Sequence, residues 1–139
     1  MRLYLIQHGL AKAREDDPDR PLTDLGFAET ERVAKWIVRH TDARPARILH
    51  SGKLRAQETA DVFTEMIKPA EGDEPSDGLA PDDDPGVWVR RLASEKADLM
   101  LVGHLPHLSR LTTRLLAGDE DRDLVAFRNS GVVALDRNE

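Results

Sequence analysis

The chain of 139 residues contains no cysteine. This absence excludes a disulfide framework, a thiolate nucleophile and thiolate metal sites. The chain also lacks long apolar runs, because its longest are about five residues and a membrane span needs roughly 20. No signal-peptide pattern is found at the N-terminus. We therefore expect a cytoplasmic protein with no membrane segment.

Basic residues are fewer than acidic ones: the chain has 20 Lys and Arg and 26 Asp and Glu, which gives a net charge of -6. Such a charge repels polyphosphate backbones at long range and argues against general nucleic-acid binding. Any anion site must therefore be a local basic cluster. The length fits one domain over residues 1–139 with one core.

Short apolar runs alternate with amphipathic stretches along the chain. Helix signals lie at Thr23, from about Leu54, at Asp84-Pro85 and after Pro106 as far as Gly118. The alternation predicts an α/β fold, a three-layer αβα arrangement with a mainly parallel sheet. Polar stretches at 13–20 and 71–84 are predicted to be loops. The predicted buried strands are Leu3–Ile6, Arg47–Leu49, Leu99–Val102 and Val132–Leu135.

The residues that follow three of these strands are rich in groups that bind anions. They are Gln7-His8-Gly9, then His50-Ser51-Gly52-Lys53-Leu54-Arg55, then Gly103-His104-Leu105-Pro106. In open α/β sheets the ligand crevice lies at the carboxyl ends of the strands. The two histidines and the arginine should therefore converge in an oxyanion or phosphate pocket.

These residue types suit phosphoryl transfer. A neutral His8 can attack phosphorus, and its other ring nitrogen is expected to donate to a backbone carbonyl that fixes the tautomer. Gly9 would let the backbone approach an oxyanion, while Arg55 offers a planar fork of donors. A protonated His104 would be a second charged donor, and a bound dianion should raise the pKa of both histidines.

Four ordered motifs resemble the histidine phosphatase superfamily, and within it the SixA-type phosphohistidine phosphatases. They are Leu5-Ile6-Gln7-His8-Gly9, Arg20-Pro21-Leu22-Thr23-Asp24-Leu25-Gly26, the segment Ser51–Ala60, and Gly103-His104-Leu105-Pro106. The resemblance covers nearly the whole chain and ends in Phe127-Arg128-Asn129-Ser130-Gly131. It implies a phosphoglycerate mutase-like fold in which His8 accepts the phosphoryl group.

The same resemblance implies the rest of the site. Arg55 and His104 would bind phosphate, Arg20 would reach in from the first loop, and Gln7, Gly9 and Leu105 would complete the phosphate pocket. No metal or other cofactor is expected. The implied activity is removal of phosphate from a histidine-phosphorylated protein of a phosphorelay or phosphotransfer system.

Gln7 departs from the family pattern, which has arginine at this position. Losing a charged hydrogen bond to phosphate costs about 1.5 to 3 kcal/mol, or roughly ten- to a hundredfold in rate. Lys12, Arg14 or Lys53 could supply the missing charge. A phosphate-binding module with weakened catalysis is therefore an alternative to an enzyme.

No carboxylate stands in an unmistakable position for a general acid, and Asp82, Asp83 and Glu58 are the candidates. A phosphoramidate needs no such acid, because its P–N bond breaks once the ring nitrogen is protonated. The sequence thus favours phosphohistidine over small phosphate esters, which are the other alternative.

Several further residues are expected to have structural roles. Ser51 should cap the helix that carries Arg55, and His107 should line the rim of the pocket in the first turn of its helix. His40 and His50 are expected to be structural, and Trp36 and Trp88 to be core or packing residues.

Overall fold

The computed structural model describes residues 1–119 and 122–138. The strands are β1 (Arg2–Gln7), β2 (Arg47–His50), β3 (Asp73–Pro75), β4 (Leu99–Gly103) and β5 (Val132–Asp136); the helices are α1 (Asp24–His40), α2 (Leu54–Ile67), α3 (Gly86–Ser94) and α4 (His107–Ala117). Within the described residues the strands form one sheet of the order β3-β2-β4-β1-β5. The strands β3, β2, β4 and β1 run parallel to one another, and β5 is antiparallel to β1.

Helices cover both faces of the sheet. Alternate side chains of β1 point to opposite faces, so Tyr4 and Ile6 pack with residues of α1 and α2. Leu3 and Leu5 pack on the other face with residues of α3 and α4. The predicted three-layer αβα fold with a mainly parallel sheet is confirmed. No helix in the described ranges is long and apolar enough to cross a membrane.

Local sequence signals explain where the helices begin and end. The Thr23 hydroxyl accepts the Gly26 N–H at 2.9 Å and caps α1, as predicted. The Asp84 carboxylate accepts the Gly86 N–H at 2.9 Å, and α3 begins at Gly86. Gly118 ends α4 at φ 82°, a left-handed conformation that favours glycine.

The structure corrects three expectations. The polar stretch 71–84, for which the sequence predicts a loop, contains the strand β3, and this strand pairs in parallel with β2. The last strand, β5, is only partly buried because it lies at an edge of the sheet. Trp36 is 56% exposed on α1 and is not a core residue, whereas Trp88 is 3% exposed and packs as predicted.

Strand order places three chain segments at one edge of the sheet. Gln7 pairs with Gly103 at the ends of the parallel strands β1 and β4, so the residues that follow them are neighbours. The chain leaves β1 for α1 on one face and leaves β4 for α4 on the other face. Such a switch point is where ligands bind in open α/β sheets. Because β2 lies beside β4, α2 also begins at this edge.

Candidate active site

His8 has one ring nitrogen held by the backbone and the other available for reaction. Its Nδ1 lies 2.7 Å from the Gly9 carbonyl oxygen. Because a carbonyl only accepts hydrogen bonds, Nδ1 carries the proton and Nε2 keeps its lone pair. This confirms the predicted tautomer. Burial lowers the pKa of His8, and the charges of Arg55 and Arg20 lower it further.

His104 lies beside His8, with the ring centres 5.0 Å apart and the planes inclined by 51°. The residue is only 1% exposed. Burial above all, and then the neighbouring His8 and Arg55, lower the pKa of His104 to about 3. His104 is therefore neutral in the free protein at pH 7, and an anion that enters the pocket first meets a neutral ring.

Ser51 determines which nitrogen of His104 carries that proton. Its hydroxyl oxygen lies 2.6 Å from His104 Nε2 and also accepts the Lys53 N–H at 3.3 Å. We assign the hydroxyl hydrogen to Nε2, because the buried Nδ1, which has no partner among the described residues, then carries the ring proton as a donor for an anion. The ring proton of His104 then lies on Nδ1. The expected helix cap is wrong, since the residue at the cap of α2 is Lys53, with no side-chain cap.

Three buried polar atoms at this edge have no hydrogen-bond partner among the described residues. They are Gln7 Oε1, Arg55 Nε and His104 Nδ1. A buried polar group without a partner costs about 1 to 3 kcal/mol. Two donors and one acceptor are thus left unsatisfied around His8. A ligand with several oxygen atoms would satisfy the two donors.

Positive charge collects around the same atoms. Arg55 is the second residue of α2, and burial followed by the charges of Arg20 and Arg14 lowers its pKa. Lys53 contributes in the same sense to the low pKa of His104. The guanidinium Nε of Arg20 donates to the Lys12 carbonyl at 3.0 Å. Four cationic side chains from two segments, those of Arg14, Arg20, Lys53 and Arg55, therefore act on the site.

Gly9 packs closely against other segments of the chain, and its approach to an oxyanion stays a prediction. Its N–H donates to the Thr59 hydroxyl at 2.9 Å, and that hydroxyl donates to the Arg55 carbonyl at 2.7 Å. A Cβ atom at Gly9 would lie 2.7 Å from the Thr30 hydroxyl oxygen and 3.1 Å from that of Ser130. Glycine is required here for packing, and Thr59 joins the His8 segment to α2.

The remaining predicted residues differ in their exposure and in their partners. Leu105 follows His104 directly and is 41% exposed. Glu58 accepts the Leu22 N–H at 2.9 Å, so one carboxylate oxygen has a structural partner. Asp83 lines a groove together with Ser51, and accepts the Ala80 N–H at 2.9 Å. Asp82 is exposed near this groove.

The other three histidines are not part of the group formed by His8, His104 and Arg55. His107 is the first residue of α4 but is fully buried, so its predicted place on the rim is wrong. His50 accepts the Gly52 N–H at Nδ1, which gives it the predicted structural role. His40 is exposed on α1 beside Trp36. The part of the chain that the structure describes holds no group of three or more His, Asp or Glu side chains suited to a metal ion.

Sequence reasoning missed Ser51 as a partner of His104 and Thr59 as a partner of Gly9. The available signal was position. Ser51 follows β2 directly, at the edge where His8 and His104 follow their strands. Thr59 lies one helical turn after Arg55, where its side chain reaches the preceding turn.

The sequence model of the histidine phosphatase superfamily, branch 1, matches residues 3–75, just over half of the chain. The chain belongs to this superfamily. The match includes His8, Arg20 and Arg55, whereas His104 lies beyond it. A comparison with curated protein sequences found no match.

Solved structures of the family share the fold. The protein histidine phosphatase SixA, complexed with tungstate, is 26% identical, with a TM-score of 0.82 over 96% of this chain and 86% of that one. The SixA protein of Agrobacterium tumefaciens is 27% identical, with a TM-score of 0.79 over 98% and 91%. The α-ribazole phosphatase of Shigella flexneri is 18% identical, with a TM-score of 0.82 over 100% and 92%. This last likeness concerns the fold alone.

Proposed function

We propose that this protein is a metal-independent phosphatase that removes the phosphoryl group from phosphohistidine on another protein. The observation that carries the proposal is the free lone pair of His8 Nε2 beside the unpartnered Arg55 Nε and His104 Nδ1. A nucleophile and two buried donors thus share one pocket. This arrangement suits a phosphoryl group, whose attacked phosphorus carries several oxygen acceptors.

The reaction proceeds in two displacements. His8 Nε2 forms a bond to phosphorus while the P–N bond of the substrate breaks, and the leaving imidazole nitrogen takes a proton from solvent. Water then attacks the phosphorylated His8, which releases inorganic phosphate and restores the neutral ring. Arg55 and Arg20 neutralise charge on the phosphoryl oxygens, and His104 donates to one of them from Nδ1.

The leaving group and the structural neighbours both support phosphohistidine as the substrate. The two SixA structures, at 26% and 27% identity, resemble this chain over nearly its whole length. One oxygen of the Glu58 carboxylate accepts the Leu22 N–H at 2.9 Å, which gives this residue a structural role. An imidazole leaving group needs no general acid, whereas the alkoxide of an ester does.

A phosphatase of small phosphate esters is the second candidate. Asp83 and Ser51 line one groove, and Ser51 contacts His104. A carboxylate on the wall of this groove could protonate an alkoxide whose phosphate occupies the pocket. The replacement of Asp83 by Asn would then abolish ester hydrolysis but leave phosphohistidine hydrolysis unchanged.

A chemically phosphorylated histidine peptide tests the main proposal. Phosphate release should fall at least a thousandfold in His8→Ala, because the nucleophile is lost. His40→Ala is the matched control, since His40 is exposed on α1 outside the site, and it should retain the wild-type rate. Equal release by wild type and His8→Ala would contradict the nucleophile, and faster turnover of esters would favour the second candidate. Activity that survives a chelator would support the metal-independent step.

A further inference from the structure

The peptide group between His8 and Gly9 lies where the chain leaves β1. The His8 N–H still donates to the Gly103 carbonyl of β4 at 3.0 Å. The next peptide group, formed by the His8 carbonyl and the Gly9 N–H, lies beyond the paired residues of the two strands, which end at Gln7 and Gly103. Because backbone polar groups away from water need partners, this peptide group depends on contacts from other segments.

Side chains from two distant segments hold the two polar ends of this peptide group. The Gly9 N–H donates to the Thr59 hydroxyl of α2 at 2.9 Å. The Asn129 amide, from the loop before β5, donates to the His8 carbonyl at 3.0 Å, and the Ser130 N–H approaches the same carbonyl at a longer 3.4 Å. The C=O and N–H of a trans peptide point in opposite directions, so Thr59 and Asn129 hold it from opposite sides. We call these two residues the peptide clamp.

The position of this peptide group decides how the His8 ring is held. His8 Nδ1 donates to the Gly9 carbonyl at 2.7 Å, and only the Cα atom of Gly9 separates that carbonyl from the clamped peptide group. Glycine has no side chain to restrict its backbone dihedral angles, so its neighbours must supply the restraint. A rotation of the peptide group would therefore move the Gly9 carbonyl away from Nδ1. The ring would then turn or carry its proton on Nε2, and the nucleophilic lone pair would be lost from the pocket.

The two contacts of the peptide clamp differ in burial. Thr59 is fully buried, and its hydroxyl donates to the Arg55 carbonyl one turn earlier at 2.7 Å, which leaves its oxygen to accept the Gly9 N–H. Asn129 is exposed, so water can partly replace its amide. We therefore expect a larger effect from the loss of the Thr59 hydroxyl.

We propose that Thr59 and Asn129 are positioning residues, which hold the peptide group between His8 and Gly9 and thereby direct His8 Nε2 at the phosphorus atom. This inference rests on the proposed function and adds two residues that act through His8. Because both displacements use His8 Nε2, the peptide clamp should affect kcat. It should leave the affinity of the pocket for phosphate unchanged, since that affinity comes from the cationic and N–H groups of other side chains.

The replacement of Thr59 by valine tests the buried half of the peptide clamp, because valine has nearly the shape of threonine but no hydroxyl. Misplacement of the nucleophile should lower kcat for the phosphorylated histidine peptide roughly ten- to a hundredfold, while the inhibition constant of inorganic phosphate stays within about twofold. Nitrogen-15 NMR should show the His8 proton partly on Nε2 instead of Nδ1. Thr59→Ser, which keeps the hydroxyl, should restore both kcat and the tautomer.

Thr112→Val is the matched control. Thr112 is also fully buried, and its hydroxyl donates to the Leu108 carbonyl one turn earlier at 2.7 Å, but α4 lies on the opposite face of the sheet from α2. The control removes the same kind of bond and should leave kcat, phosphate inhibition and the His8 tautomer unchanged. An equal fall of kcat in both variants would overturn the proposal. A folded Thr59→Val protein with the wild-type kcat and tautomer, or with weaker phosphate inhibition alone, would also overturn it.

Asn129→Leu tests the exposed half, where a substitution endangers folding less. Its kcat should fall roughly three- to tenfold, because water replaces the amide only in part. Asn138→Leu is the control, since Asn138 is exposed beyond the other end of β5, and it should keep the wild-type rate. A wild-type kcat in Asn129→Leu would overturn the role of this residue.

The variant that combines Thr59→Val with Asn129→Leu tests whether the two residues act on one peptide group. Its loss of kcat should be smaller than the product of the two single losses, because either change already frees the peptide group. A loss equal to that product would show that the two residues act independently and would overturn the peptide clamp.

Failure of the proposed function has a separate signature. A folded wild-type protein that does not hydrolyse the phosphorylated histidine peptide would remove the phosphatase activity itself. The His8 tautomer would then decide the peptide clamp without any activity: a shift in Thr59→Val supports it, and an unchanged tautomer overturns it. An active wild type whose Thr59→Val variant keeps the rate and the tautomer would retain the phosphatase and remove only the peptide clamp.

Discussion

Replacing Ser51 by alanine removes the hydroxyl that places the ring proton of His104. Because His104 is 1% exposed, the loss leaves Nε2 as a buried acceptor without a partner, at a cost of about 1 to 3 kcal/mol. Without the hydroxyl nothing holds the ring proton on Nδ1, so the ring can carry it on Nε2 or can turn. Either change takes the N–H donor away from the phosphoryl oxygen. The same range of free energy predicts that kcat falls roughly 5- to 150-fold.

Two measurements separate this effect from a general structural one. Nitrogen-15 NMR of the histidine side chains at pH 7 should show the His104 proton on Nδ1 in the wild type and on Nε2, at least in part, in Ser51→Ala. Ser51→Thr, which keeps the hydroxyl, should restore both the tautomer and kcat. Ser76→Ala is the control, because Ser76 lines the same groove as Ser51 and should change neither.

The reasoning is refuted if the wild-type ring carries its proton on Nε2. It is refuted equally if Ser51→Ala keeps the wild-type tautomer and the wild-type kcat while the protein remains folded.

Three further predictions follow from the charges of the site and of α2. Gln7→Arg adds a cation near Arg55, whose pKa is already lowered by burial and by neighbouring arginines. The substitution should therefore lower the Tm of the free protein and change kcat less than tenfold. A hundredfold rise in kcat would instead indicate that the natural protein is a binding module with weakened catalysis. Burial holds the pKa of His8 below 6.5, so this ring stays unprotonated as the pH falls through 6.5. A decline of kcat/KM centred at or above pH 6.5 would contradict the role of His8 as nucleophile. Burial and the nearby Asp73 raise the pKa of Asp61 to about 6 from 3.8, so the stability that this carboxyl contributes is present below pH 4 and is lost as the pH rises through 6. Asp61→Asn should therefore raise the free energy of unfolding by about 1 kcal/mol at pH 8, after allowance for solvent screening, and not at pH 4; denaturant titrations that show the same gain at both pH values would disagree.

Most elements of the fold could be predicted because each carries a local signal. Apolar runs located β1, β2, β4 and β5, and the capping residues Thr23 and Gly118 marked helix ends correctly. The short strand β3 could not be predicted in this way. Its residues Asp73, Glu74 and Pro75 have low strand propensity. It is a strand only because β2 offers a parallel partner.

The convergence of the pocket could be predicted from strand ends, but its hydrogen bonds could not. The sequence places His8 and His104 after adjacent strands, and the structure brings their rings together. Whether Ser51 turns toward the helix or toward His104 depends on a side-chain rotamer and on tertiary packing. The same holds for Gly9, whose neighbours Thr30 and Ser130 are far away along the chain.

The composition of β3 has a consequence for the protein at high concentration. An edge strand with free backbone groups can recruit strands from other molecules and start aggregation. β3 forms one edge of the sheet, is only three residues long, and presents two acidic side chains followed by Pro75, which has no N–H to offer. The residues whose low strand propensity prevents the prediction of β3 therefore also disfavour the pairing of this edge with strands of other molecules.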